Sequence, residues 1–159
     1  MIALIMAGGF GTRFWPLSRR SKPKQFLNII SDRSMIRMTA DRLLKKIPAD
    51  DIFVVAPIDQ KSLIKEHLPF IEDGNIILEP FGMNTAPCIA LAVKYLKKKY
   101  SKDEKLLVLP ADHLIRNEDA FFSSLETASS LAENDALITF GLNRSMEFSP
   151  RIIPSIPNQ

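Results

Sequence analysis

Short apolar runs alternate with helical periods along this 159-residue chain, and that alternation restricts the fold more than any other feature. Runs at 2–6, 52–56, 76–78, 106–109 and 136–140 have strand length and are bounded by turn-forming or charged residues. Between them, Ile36, Ala40, Leu43, Leu44 and Ile47 share one helical face, and Ile89, Val93, Leu96 and Tyr100 share a second. Phe121, Leu125, Ala128 and Ala132 make a third, with Asn117 as its N-cap and Glu118 and Asp119 in its first turn. A shorter helix is expected after Asp59. Strands that read as continuously apolar belong to a mostly parallel sheet covered on both faces, an α/β sandwich of three layers. Ligands of such sheets bind beyond the carboxyl ends of the strands. The residues after Met6, Leu78 and Leu109 should therefore converge.

The segment after the first run is Ala7-Gly8-Gly9-Phe10-Gly11-Thr12-Arg13. Glycines there let main-chain amides approach phosphate oxygens closely. The loop lacks the Gly-Lys-Ser/Thr ending of a Walker A motif. A dinucleotide fingerprint begun at Gly9 would need glycine where Phe14 stands, which disfavours a nicotinamide-dependent oxidoreductase.

Charge supports an anionic ligand. The net charge is only +3, yet no acidic residue precedes Asp32, while Arg13, Arg19, Arg20, Lys22 and Lys24 crowd one segment. Arg13 offers a planar fork and Lys24 a point charge to a polyphosphate. Trp15 either packs against the loop or stacks on a ligand, and Arg19 and Arg20 are compatible with simple solvation. Interleaved aromatics are missing from the basic run, so nucleic acid is not the expected partner. The lysines from Lys94 to Lys102 suit a helix C-terminus.

Gly8-Gly9-x-Gly11-Thr12-Arg13, followed by Trp15-Pro16-Leu17-Ser18-Arg19 and Pro23-Lys24-Gln25-Phe26, resembles the signature of mannose-1-phosphate guanylyltransferases. Glu79-Pro80 with Asn84-Thr85-Ala86-Pro87, and Pro110-Ala111-Asp112-His113, resemble two further segments of that family. Met83 stands where many members carry arginine. The resemblance implies a Rossmann-like nucleotide-diphospho-sugar transferase fold. It also implies transfer of GMP from GTP to mannose 1-phosphate, giving GDP-mannose and pyrophosphate. Arg13 and Lys24 would be catalytic; Ala7, Gly8, Gly9, Gly11, Thr12, Glu79, Asn84 and Thr85 would bind nucleotide; Asp112 would hold Mg²⁺. From the residues alone, Asn84 and Thr85 also read as helix capping, and Asp112 as a turn residue or cap. Cys88 reads as a small core residue, and neither His67 nor His113 is assigned a role.

The resemblance covers residues 1–141, taken as the nucleotide-binding half of the domain, and residues 142–159 form an atypical Pro-rich tail. Three prolines within 150–157 predict an irregular surface segment there. Loss of the family pattern after Gly141 predicts impaired transfer, exposed apolar surface and self-association. A non-catalytic nucleotide-binding or regulatory module is the alternative reading. The single cysteine, the absence of a ~20-residue apolar run and an N-terminus without a leader pattern are those expected of a cytoplasmic protein away from membranes.

Overall fold

The computed structural model describes residues 1–9, 14–82, 84–134, 136–142 and 148–153. It divides into two compact units, Met1–Leu114 and Ile115–Gln159.

The first unit is built on strands β1 (Ile2–Met6), β2 (Ile52–Pro57), β3 (Ile76–Glu79) and β4 (Leu106–Pro110). They form a four-stranded sheet in the order β3-β2-β1-β4, parallel throughout. Parallel neighbours need crossovers, and helices α1 (Met35–Leu43), α2 (Lys61–His67) and α3 (Thr85–Leu96) lie on them. Alternate side chains leave opposite faces of each strand. Ile2, Leu4, Phe53, Val55 and Ile77 meet Cys88, Ala92 and Leu96 of α3 in one buried cluster. Ile36, Ala40 and Leu43 of α1, which lies against β1, are wholly buried. Each fully buried aliphatic side chain contributes roughly 1.5–3 kcal/mol, so these layers carry the stability of the unit.

Two helical faces need adjustment. The buried stripe of α3 is Cys88, Ala92 and Leu96 rather than one centred on Ile89 and Val93. On α1, Leu44 falls beyond the last helical residue and is exposed. Strand β4 is half-buried rather than buried, with Leu107 its one buried residue.

The second unit holds α4 (Glu118–Leu131), β5 (Leu137–Leu142) and β6 (Phe148–Ile153). Asn117 caps α4, its side chain accepting a hydrogen bond from the Ala120 amide at 3.0 Å, and Phe121, Leu125 and Ala128 are buried as expected. The fifth apolar run does not join the parallel sheet. It pairs antiparallel with β6, Phe140 opposite Pro150, and leaves Leu137 65% exposed. The residues at 137–140 alternate between exposed and half-buried, the signature of a strand covered on one face. Part of the Pro-rich tail is therefore ladder, not irregular chain. A two-stranded ribbon tolerates Pro150 because each of its strands has an unpaired edge. Pro154 and Pro157 lie outside the described residues.

Candidate functional site

With β3, β2 and β1 running one way and β4 added on the far side of β1, the strand order reverses between β1 and β4. A doubly wound sheet opens a crevice at that reversal, beyond its carboxyl edge. The segments after β1 and β4 flank it. The Ala111 amide donates to the Met6 carbonyl at 2.9 Å, and the Thr39 hydroxyl donates to the Ala111 carbonyl at 3.3 Å, so the chain leaving β4 is tied to β1 and α1.

Asp112 follows directly, and its Oδ2 lies 2.8 Å from Lys24 Nζ. The same ammonium sits 4.4 Å from the centre of the Phe14 ring. Lys24 begins a 3-10 turn, Lys24–Phe26, closed by the Phe26 amide on the Pro23 carbonyl at 3.0 Å. Gln25 and Phe26 are both buried, so the turn is anchored from below while Lys24 reaches the crevice. The basic segment and the aspartate, far apart in sequence, are in direct contact.

Glu79, at the end of β3, is 1% exposed, and neither carboxylate oxygen has a hydrogen-bond partner among the described residues within ordinary N–H or O–H geometry. A Cβ placed on Gly8 would come within 3.2 Å of Glu79 Oε2, so the glycine at the loop entrance is what leaves room for that carboxylate. The Cys88 thiol neighbours Glu79 and is pushed up to about 12, first by burial and then by the carboxylate, which marks it as inert core. A buried acidic group left without donors is costly unless a ligand supplies them.

Asn84 occupies the N-cap position of α3, but its side chain makes no capping bond. The third helical residue is Pro87, which lacks the amide that a cap commonly addresses. The capping reading of Asn84 is overturned. Its exposed side chain, and that of Thr85, stay at the surface on the segment that follows Glu79.

Ala7, Gly8, Gly9, Lys24, Glu79 and Asp112 are thus gathered at the carboxyl edge of the sheet. Gly11, Thr12 and Arg13 lie outside the described residues. Trp15 is 77% exposed, which removes the packing role considered for it. Phe14 beneath Lys24, and the buried pair Gln25 and Gln60, were given no role by sequence reasoning. The signal available for the latter was a proline, Pro57, ending a strand otherwise made of apolar residues. His67 is half-buried against Phe26, 5.3 Å between ring centroids, and has a packing role.

Among the described residues no three His, Cys, Asp or Glu side chains gather to hold a metal ion. A single partly exposed carboxylate beside a lysine fits a Mg²⁺ ion that arrives with phosphates and keeps most of its oxygen ligands from them. No helix among the described residues is long and apolar enough to cross a membrane.

The nucleotidyl transferase family model matches residues 2–149. A mannose-1-phosphate guanylyltransferase of Salmonella muenchen is 43% identical over 145 residues, 89% of this chain and 30% of that protein. The alginate biosynthesis protein AlgA of Pseudomonas putida is 40% identical over 144 residues, 89% of this chain and 29% of that protein. Among solved structures, one described as a mannose-1-phosphate geranyltransferase from Thermus thermophilus superposes with a TM-score of 0.75 at 36% identity, covering 83% of this chain and 38% of that one. The chain spans about 30% of the length of the curated relatives it matches.

Proposed function

Since the chain belongs to the nucleotidyl transferase family, we propose that it binds GTP at the carboxyl edge of its parallel sheet and serves transfer of GMP to mannose 1-phosphate. The observation that carries the reading is a pair of contacts along the carboxyl edge of the sheet, Lys24 with Asp112 at the strand-order reversal and Gly8 against Glu79 beside it. A phosphate oxygen of the sugar phosphate attacks the α-phosphorus of GTP, and pyrophosphate leaves with the bonding electrons. The nucleophile is already anionic, so alignment and charge stabilisation dominate over general-base chemistry.

In this scheme the amides from Gly8 to Thr12 face the phosphates, and Arg13 and Lys24 stabilise charge on the transferring and departing groups. Asn84 and Thr85, at the start of α3, are assigned to the nucleotide as well. Asp112 would hold Mg²⁺, which when bound supplies charge neutralisation of the phosphates. Lys24 and Asp112, paired with each other in the free chain, would serve different partners in the loaded one, the lysine a phosphate and the carboxylate the metal.

Glu79 carries the choice of base. Guanine presents two adjacent donors, N1–H and the N2 amino group, and a carboxylate is their complement once binding uncovers Glu79, which is 1% exposed in the free chain. Adenine sets its N6 amino donor beside an acceptor at N1, so it can satisfy one carboxylate oxygen and turns a lone pair toward the other. A reducing cytoplasm suits the single buried thiol.

Calorimetry with GTP, ATP, UTP and dTTP, with and without Mg²⁺, tests the binding half of the proposal. GTP preference supports it, and preference for ATP or UTP defeats the guanine assignment. Turnover of GTP with mannose 1-phosphate then separates an enzyme from a nucleotide-binding module.

A further inference from the structure

The ladder between β1 and β2 ends in an unusual way. Met6 is opposite Val55, and the Ala7 amide donates to the Val55 carbonyl at 2.8 Å. In a parallel pair the next bond runs from the residue two beyond Val55 back to the Ala7 carbonyl. That residue is Pro57, which has no N–H. The Ala7 carbonyl instead accepts from Gln25 Nε2 at 2.6 Å. The second proton of the same amide goes to Gln60 Oε1 at 2.9 Å.

The orientation of Gln25 follows from these partners. Both are acceptors, so the nitrogen of its amide must face them, and the reverse flip would set oxygen against oxygen. Gln25 is 4% and Gln60 2% exposed, so water does not compete. Gln25 is flanked by Lys24, which reaches Asp112, and by Phe26, which is 1% exposed.

We propose that Gln25 is a positioning residue of the nucleotide site: its side-chain amide replaces the ladder donor missing at Pro57 and thereby locks Lys24 to the entrance of the glycine loop. Ala7 is the last residue before that loop, so one amide fixes both where the loop begins and where the lysine stands. A backbone donor at position 57 would satisfy the carbonyl without holding the lysine. The proline thus makes the sheet edge depend on the segment that carries the charge. This inference rests on the GTP-site reading above and concerns a residue acting through Lys24, not one touching the ligand.

The test uses the 159-residue chain with GTP and Mg²⁺, reading affinity by calorimetry and stability by thermal unfolding. Gln25→Met, similar in volume and without donors, should lower Tm by about 5 °C and weaken GTP binding about tenfold. Adding Pro57→Ala restores an N–H for Ala7, so Tm should return toward that of the parent while GTP binding stays weak. Gln25→Met combined with Lys24→Met should bind no more weakly than Lys24→Met alone, because the two act as one unit. Affinity that recovers together with Tm in the Pro57→Ala background overturns the proposal, as does parental affinity in Gln25→Met or full additivity with Lys24→Met. A parent chain that does not bind GTP overturns the site reading and this inference together, whereas a parent that binds while Gln25→Met is unaffected overturns this inference alone.

Discussion

Lys24 Nζ and Asp112 Oδ2 stand 2.8 Å apart across the reversal of strand order, joining the basic segment after β1 to the carboxylate after β4. Each is the other's counter-ion where the proposed reaction needs both for different partners. Partly exposed ion pairs contribute about 0–1 kcal/mol, so stability is not what their proximity secures.

Asp112→Asn should therefore fold with nearly parental Tm, bind metal-free GTP at least as well as the parent, and lose the gain in affinity that Mg²⁺ confers. Lys24→Met should bind GTP about tenfold more weakly with or without the metal. Titrations at fixed GTP over a range of Mg²⁺ distinguish the two. Equal Mg²⁺ dependence in parent and Asp112→Asn would remove the aspartate from the metal site.

Glu79→Gln separates stability from selectivity. It replaces a carboxylate that has no N–H or O–H partner among the described residues by a neutral amide, so unfolding free energy should rise by about 1 kcal/mol. Preference for GTP over ATP should fall by about 10–100-fold, since a charged acceptor of two donors is lost. Chemical denaturation and competition binding measure the two halves. A less stable variant with intact selectivity would show that Glu79 serves the core.

Gly8→Ala and Gly9→Ala form a matched pair. The added methyl at Gly8 meets Glu79 Oε2 at 3.2 Å, and a buried carboxylate has little freedom to yield. A loss of about 1–2 kcal/mol in stability is expected, accompanied by weaker GTP binding. At Gly9 no described residue lies within 4 Å, so its alanine variant should be neutral for folding. Equal stabilities would contradict the packing described.

Acid sensitivity involves His67. Burial lowers its pKa from 6.5, with Glu66 opposing and Lys22 adding to the effect. The unfolded chain then takes up the proton first, so this contribution is complete above pH 6.5 and is lost as pH falls from there through the lowered folded value. The fall in Tm between about pH 7 and pH 5 should be smaller in His67→Gln than in the parent. Parallel Tm profiles would show that this ring carries no linkage.

The four strands of the parallel sheet, the helices between them and the Asn117 cap were legible from short-range pattern. Apolar spacing reports which face of an element is buried, and that depends on neighbours two to four positions away. Ala7, Gly8, Gly9, Lys24, Glu79 and Asp112 were singled out chiefly by the resemblance of their segments to a known family, and strand ends explain why those segments lie at one edge of the sheet. Local pattern failed at β5. An apolar run does not say whether its partner is a parallel strand or the antiparallel β6.

By itself, then, the sequence determined the alternation of strands and helices and the residues that meet at the carboxyl edge of the sheet. Tertiary structure alone decided that Lys24 pairs with Asp112, that Glu79 is buried beside Gly8 and Cys88, and that Gln25 takes over from the amide absent at Pro57. The physical reason is range. Periodicity is carried by residues close in the chain, whereas Gln25 meets acceptors 18 and 35 positions away, and such bonds exist only once the sheet has set strand order and register.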